Sequence, residues 1–360
     1  MGKIKYAVLG AGNGGQCISA YLTLKGYDVS LYDRYIDVIN PIKERGGIEL
    51  TGVSLNGFAK INTVTTDIEK AISGANAILV VLPAFAHAYI AQELAPLLKD
   101  NQIILLCPGS TGGVFEFKKI LWDKGCKADV KIGETSSLFY ASRAKDGVAN
   151  IGAIKNQLAV SALPSKDAHY IIEFLKDVYP QLVKADNVLS TSLSNLNAVI
   201  HPIAIILSAG WVEATGGNFR FYYDSITPTV GKMIEKIDNE RLELCKALDV
   251  KTEDVISSTK RSYGYNDTTT MHELVQTIEG YANIMVPPSL QTRFLLEDVP
   301  MGLVPMAELA KLAEVQVPLM NTVIDMASAI LDKDFRAEGR TLEKLGIADM
   351  NIQELKQYVN

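Results

Sequence analysis

The sequence predicts an α/β protein: an N-terminal Rossmann-type doubly wound sheet followed by a mainly α-helical C-terminal domain. Three observations carry this. Over the first half, short strands that are apolar throughout alternate with helical runs, the mark of parallel strands buried on both faces. The first strand ends in a glycine-rich turn, Gly10-Ala11-Gly12-Asn13-Gly14-Gly15. The alternation then stops, and only helical periodicity remains beyond about residue 187. A chain of 360 residues suits two domains, expected as 1–186 and 187–360.

Taken in order, Lys5–Leu9 reads as a strand, 15–25 as a helix and Asp28–Tyr32 as a strand closed by Asp33. Residues 48–50 and 60–64 are short strands and 68–73 a short helix. The fully apolar strand 77–82 precedes a helix over 87–98, strand 103–107 and helix 113–124. Strands over 129–134 and 157–162 flank an irregular polar stretch, with an exposed helix over 164–174 behind them. The second half reads as helices over 189–213, 226–248, 255–262, 269–282, 306–312 and 317–331, then short C-terminal helices.

Composition narrows the partners. Hydrophobic residues make up 48% and charged residues 21%, an ordinary globular balance that excludes a disordered chain. The net charge of -6 argues against a nucleic-acid binder, which needs a basic face for phosphates. Cys17, Cys107, Cys126 and Cys245 are widely spaced, with no CxxC and no zinc spacing. They suit reduced thiols in a cytoplasmic protein, with no metal. The apolar stretch 198–211 carries His201, Pro202 and Gly210 and is too short for a membrane span. It reads as a buried helix.

The glycine run fits G-x-G-x-x-G between a strand and a helix, a dinucleotide signature. Gly10 permits the turn, Gly12 lets backbone approach a pyrophosphate, and Gly15 lets helix pack on strand, with Ala11, Asn13 and Gly14 completing the loop. The helix N-terminus offers free N–H groups and a positive dipole end to the phosphates. Asp33, at the end of the next strand, suits the adenosine ribose and repels a 2′-phosphate, which favours NAD and leaves NADP open. Arg34 either lies over the adenine or helps hold a 2′-phosphate. Pro83 or Pro108, at carboxyl ends of strands, could wall the nicotinamide. His87 is either a polar contact near the ribose or structural.

A hydride transfer to a carbonyl or imine needs a proton donor that returns as a base, a task histidine performs near neutral pH. Of the four histidines, His201 stands in the first apolar helix of the second half, beside Pro202. A histidine there is either a satisfied core residue or a catalyst. Asn197, one turn earlier on the same face, could orient a substrate. A second polar island holds Arg293, Glu297 and Asp298 amid apolar residues. An aspartate can fix an imidazole's tautomer, and an arginine can clamp a carboxylate, but a charged surface loop has the same composition. Arg143, in a third island, could take a second carboxylate or a cofactor group, or only brace its loop. His169 and His272 read as structural.

Taken together, Gly10–Gly15, the stretch Glu134…Tyr140…Arg143, Asn197…His201-Pro202, and Arg293…Glu297-Asp298-Val299-Pro300…Gly302-Leu303-Val304-Pro305 resemble the NAD/NADP octopine/nopaline (opine) dehydrogenase family, in particular its bacterial N-(1-carboxyethyl)norvaline-forming type. The resemblance spans nearly the whole chain. It implies His201 paired with Asp298, with Arg293 holding the carboxylate of a 2-oxo acid. The implied reaction is the NAD(P)H-dependent condensation of an L-amino acid with a pyruvate-like 2-oxo acid, through an imine, to an N-(1-carboxyalkyl) amino acid. Met301 departs from the pattern, where an aromatic residue is expected, as does Leu138-Phe139, where a proline often stands. Tyr222, Tyr223 and 263–271 are candidates for selecting the amino-acid side chain, or for packing. The expected partners are small molecules, with a homodimer through the helical domain as a further expectation. The competing readings are a 2-hydroxy acid or ketopantoate-like reductase, and an NADH-binding redox sensor without turnover.

Overall fold

A computed structural model describes residues 4–264 and 267–360. The chain forms two compact units, Met1–Thr191 with Val359–Asn360, and Ser192–Tyr358.

In the first unit the strands are β1 (Lys5–Leu9), β2 (Asp28–Tyr32), β3 (Ile48–Gly52), β4 (Gly57–Ala59), β5 (Thr63–Thr65) and β6 (Ala77–Val80). They continue with β7 (Ile103–Leu106), β8 (Lys131–Thr135), β9 (Tyr140–Lys145), β10 (Val148–Ile154), β11 (Leu158–Ala162) and β12 (Leu182–Lys184). Between them run α1 (Asn13–Leu24), α2 (Ile36–Arg45), α3 (Ile68–Ile72), α4 (His87–Leu94), α5 (Gly113–Asp123) and α6 (Asp167–Leu175). Eight strands make one sheet in the order β12-β11-β8-β7-β6-β1-β2-β5. It is parallel except where β11 meets β8. Every residue of β6 and β7 is buried, which is why these strands show no alternation. The chain order reverses on either side of β1, so the loops that follow β1 and β6 converge at the ligand-binding edge of such a sheet.

A second sheet, β4-β3-β10-β9, packs on α1. The β9–β10 hairpin was not among the expected strands. Its turn is Asp146-Gly147, both with positive φ (51° and 80°), the two-residue arrangement whose twist matches a hairpin. Helix α2 was also unexpected; Pro41 inside it is a residue that ordinarily argues against helix.

The run 189–213, expected as one helix, is three: α7 (Val188–Leu193), α8 (Leu196–Leu207) and α9 (Ala209–Thr215). Asn195 (φ -76°, ψ 81°) and Ser208 (φ -105°, ψ 7°) leave helical geometry between them. The first break falls in the polar run 190–197 and the second at Ser208, neither of which carries a glycine or proline to mark it. Then follow α10 (Pro228–Ala247), α11 (Val255–Tyr263), α12 (Met271–Thr277), α13 (Arg293–Leu296), α14 (Val304–Leu312) and α15 (Pro318–Leu331). The short α16 (Phe335–Glu338), α17 (Leu342–Leu345) and α18 (Ile352–Val359) end the chain. The helix expected over 269–282 stops at Thr277 and gives way to a 3-10 turn, Glu279–Tyr281. Two five-residue π turns, Phe221–Ser225 and Val299–Leu303, interrupt the helical pattern.

Helix α8 is the core of this unit. Ala198 through Ile206 are all buried, with α10, α13, α15 and the Val299–Leu303 turn packed against it. A buried ion pair braces the surroundings. Arg241 Nε meets Asp238 at 2.7 Å, and Arg241 Nη1 donates to the carbonyl of Leu193 at 2.9 Å. Such a pair is tolerable inside only because its remaining donors and acceptors are also satisfied. Taken together, Val188–Leu207 are long and apolar enough by composition to cross a membrane, but most of the run is buried in the protein.

Candidate active site

His201 lies mid-way along α8, followed by Pro202. A proline in a helix cannot bond the carbonyl four residues back, here that of Ala198. His201 is 7% exposed. Its Nδ1 is 2.8 Å from Asp298 Oδ2, and its Nε2 is 3.3 Å from the hydroxyl of Tyr222. Phe294 and Phe221 enclose the ring, with centroids 4.4 and 5.4 Å away. A carboxylate can only accept, so Nδ1 carries the proton and Nε2 is the nitrogen left for chemistry.

Asp298 stands where α13 passes into the Val299–Leu303 π turn. The backbone N–H of Asp298 donates to the Arg293 carbonyl, and the Leu303 N–H donates back to the Asp298 carbonyl at 3.0 Å. The wide turn presents the Asp298 side chain to α8. Its close fit depends on Gly302, where a Cβ would stand 2.5 Å from the Cβ of Ala198. Arg293 opens α13 with its side chain 70% exposed, and its Nε donates to the buried Glu297 carboxylate at 2.5 Å. Glu297 thereby aims a guanidinium whose terminal edge matches a carboxylate in geometry and charge.

Tyr222 occupies the other π turn. Asp224 accepts from the Arg220 backbone N–H at 2.7 Å and pairs with the Arg220 guanidinium, which closes that turn. The Tyr222 ring stacks on Tyr281 at 3.7 Å, and Tyr263 meets Tyr281 edge-on at 5.1 Å. Burial pushes the Tyr222 phenol well above its ordinary range, with Tyr263 and Asp298 adding to the effect. Tyr222 therefore stays a neutral hydroxyl. Of the stretch 263–271, Tyr265 and Asn266 lie outside the described residues. Sequence reasoning named Tyr222 only as a side-chain selector or packing residue; its bond to His201 depends on a π turn that no local pattern announces.

The glycine loop is built in the first unit. Gly10 has φ +110°, and a Cβ there would strike the Val81 carbonyl oxygen at 2.3 Å. At Gly15 a Cβ would lie 1.7 Å from the Gly10 carbonyl oxygen, so only glycine lets α1 approach β1 this closely. Around Gly12 there is open space, with nothing within 4 Å of a Cβ position. Asp33 is buried, its two oxygens accepting from the N–H groups of Ala11 (2.8 Å) and Tyr35 (3.0 Å). Gln16 reaches from the Ala11 carbonyl to the Gly147 N–H, and Asn13 accepts from the Ala144 N–H at 2.7 Å. The loop is thus held from below by β2 and from the side by the β9–β10 hairpin. Room at Gly12 over a helix N-terminus fits a pyrophosphate.

The remaining sequence candidates lie as follows. The Arg34 guanidinium covers the rings of Tyr89 (4.6 Å) and Tyr35 (5.2 Å). Pro83 precedes the 3-10 turn Ala84–Ala86 ahead of α4. His87 is fully buried in the first turn of α4, which favours the structural alternative for it over a contact with the ribose. Arg143 is exposed on β9 and donates to the carbonyl of its neighbour Ser142 at 2.9 Å. Asn197 is exposed one helical turn before His201. Among the described residues no group of three or more His, Cys, Asp or Glu is arranged to hold a metal.

The family described as NAD/NADP octopine/nopaline dehydrogenase, alpha-helical domain, matches residues 184–331. The NAD-dependent glycerol-3-phosphate dehydrogenase N-terminus matches residues 5–117. An opine dehydrogenase from Arthrobacter sp. (strain 1C) is 42% identical over 98% of each chain. A vitopine synthase from Allorhizobium ampelinum is 29% identical over 99% of each. Among solved structures, octopine dehydrogenase in complex with NADH and agmatine superposes with a TM-score of 0.82, at 23% identity, over 98% of this chain and 97% of that one.

Proposed function

This chain belongs to the NAD/NADP octopine/nopaline dehydrogenase family and is an opine dehydrogenase, an NAD(P)-dependent oxidoreductase, and from that premise we propose that His201, Asp298 and Arg293 carry its reaction. The observation behind the proposal is the 2.8 Å bond between His201 Nδ1 and Asp298.

In an opine-forming reaction the amino group of an amino acid adds to the carbon of a 2-oxo acid, water leaves, and the resulting imine is reduced to a secondary amine. When bound, a reduced nicotinamide supplies the hydride. Gly10, Ala11, Gly12, Asn13, Gly14, Gly15 and Asp33 would hold that cofactor, with the α1 amides toward its phosphates and the Asp33 charge favouring NADH over NADPH. Protonated His201 gives its Nε2 proton to the oxygen that departs as water, and in the reverse direction it takes a proton as a base. Asp298 stabilises the imidazolium and fixes which nitrogen reacts. The Phe221 and Phe294 rings keep bulk water from the imidazole. Arg293, steadied by Glu297, holds the oxo-acid carboxylate, and Asn197 orients the substrate. Solved relatives carry L-arginine or pyruvate with NADH, which supports an amino acid and a 2-oxo acid as the substrate pair.

A cytoplasmic homodimer belongs to the same proposal. Four free cysteines suit a reducing compartment. The helical unit exposes large apolar side chains, Leu207, Trp211 and Met285 among them, which supports association with a second copy, a point that sedimentation of the purified protein decides.

The test is a matrix of amino acids against 2-oxo acids with NADH or NADPH. Cofactor oxidation that requires both substrates supports the reading, whereas oxidation with the oxo acid alone makes the chain a 2-hydroxy acid dehydrogenase. A His201→Ala variant with near-normal turnover overturns the assignment of the catalytic base.

A further inference from the structure

The Tyr222 hydroxyl stands 3.3 Å from the reactive nitrogen of His201 and takes no part in the steps assigned to His201, Asp298 and Arg293. We propose that Tyr222 is a positioning residue for His201: its hydroxyl donates to Nε2 of the neutral imidazole, holding the ring between two fixed partners and favouring the base form. The inference rests on His201 being the catalytic histidine.

Three observations carry it. The hydroxyl is 3.3 Å from Nε2, on the side of the ring opposite Asp298. The Tyr222 ring is fixed, stacked on Tyr281 at 3.7 Å in a turn closed by Arg220 and Asp224, so its hydroxyl yields Nε2 to a substrate oxygen by turning its O–H and returns to it when the site empties. Burial also keeps the phenol protonated. A phenol O–H is a good donor, whereas its oxygen, conjugated with the ring, is a weaker acceptor. The bond therefore helps the neutral imidazole, which offers a lone pair, more than the imidazolium, which offers a proton. Asp298 and Tyr222 pull in opposite directions on one ring, Asp298 toward the acid form and Tyr222 toward the base form. Such an arrangement suits a residue that must give a proton in one direction of the reaction and take it in the other.

Several charged groups on elements packed against α8 are paired with partners other than His201, while Lys232, Lys236, Glu243 and Lys246 on α10 and Glu213 on α9 complete the set of charged groups there. On α13, Arg293 pairs with Glu297. On α10, Asp238 pairs with Arg241, Glu235 accepts the Met271 N–H, and Glu240 accepts the N–H groups of Leu319 and Met320. On α15, Asp325 pairs with Arg336 at the surface. Behind Tyr222 stand Tyr281 and Tyr263, both phenols.

The experiment is Tyr222→Phe, which keeps the stacked ring and removes only the hydroxyl. The imidazole resonances of the four histidines are titrated by NMR in the free protein, with His201 assigned by its loss in His201→Gln. The expected result is that the His201 midpoint moves to higher pH by roughly half a unit to one unit, the size of one ordinary hydrogen bond, while the other three stay put. The pH–rate profiles in both directions should move the same way. An unmoved or lowered His201 midpoint overturns the proposal. If His201→Gln remains fully active, the catalytic reading itself fails; if that variant is dead while Tyr222→Phe titrates like the parent, only the role of Tyr222 falls.

Discussion

Ala198 and Gly302 touch where the helix bearing His201 meets the turn bearing Asp298. A Cβ on Gly302 would come within 2.5 Å of the Ala198 Cβ, with the Asn195 Nδ2 at 3.4 Å as the next neighbour. Gly302→Ala should therefore force α8 and the turn apart and stretch the 2.8 Å bond between His201 and Asp298. We expect kcat to fall ~10–100-fold, since displacement of about 1 Å in a catalytic group has that scale of effect. Adding Ala198→Gly removes the opposing methyl and should restore most of the loss. A double variant as slow as the single one would show that this contact does not set the dyad.

Asp298→Asn keeps size and most contacts but offers an amide in place of a carboxylate. The imidazole then loses its negative partner and its enforced tautomer, and kcat should fall roughly 10²–10⁴-fold. Binding of NADH, followed by fluorescence, should remain within a few fold of the parent. Loss of both together would place Asp298 in folding rather than in proton transfer.

Asp33 serves two purposes, anchoring the Ala11 N–H and presenting negative charge to the nucleotide. Asp33→Asn should weaken NADH binding by ~10–100-fold, the scale of a lost charged hydrogen bond, and should weaken NADPH binding less. Titration calorimetry with both cofactors measures the two changes. Equal losses for the two cofactors would mean that the charge plays no part in the choice between them.

Burial raises the thiols of Cys17 and Cys245, each to about 11 from an ordinary 9.0. Between those values the unfolded chain sheds these protons and the folded one keeps them, so deprotonation favours unfolding. Their contribution is complete below about pH 9 and is lost as the pH rises through 11. Thermal melts should show a falling Tm over that window, and the fall should be shallower in a Cys17→Ala, Cys245→Ala variant. Alkylation of Cys17 should be slow at neutral pH, with the less buried Cys126 reacting first.

The nucleotide unit was legible because its signals are local. A fully apolar strand, three placed glycines and one acid in Lys5–Asp33 specify a turn, a helix and a ribose partner within a single βαβ stretch. The Asp146-Gly147 hairpin is equally local, an Asp-Gly turn between two short strands, but β9 mixes Ser142, Arg143 and Lys145 with alanines and β10 is rich in alanine and glycine and largely exposed, so neither strand stands out by its pattern. In the helical unit the limits were physical. Over 198–207 the stretch is apolar nearly all round, so periodicity carries no trace of the break at Ser208, while the polar run 190–197 around Asn195 is equally compatible with a continuing helix. The π turns at Phe221–Ser225 and Val299–Leu303 arise from packing, and with them the placement of Tyr222 and Asp298. His201 and Arg293 could be nominated by residue type, but the pairing of His201 with Asp298 came from resemblance and not from spacing.

His201 and Asp298 are 97 positions apart in the chain, and Tyr222 lies 21 beyond His201. The relay is therefore a long loop drawn shut, and closing such loops is the slow, entropically costly part of folding. During synthesis the histidine emerges early and remains chemically idle, and a chain interrupted before α13 has the nucleotide loop but no acid for its base. Turnover requires all three segments in place at once, which makes it a stringent reporter that the helical unit has folded.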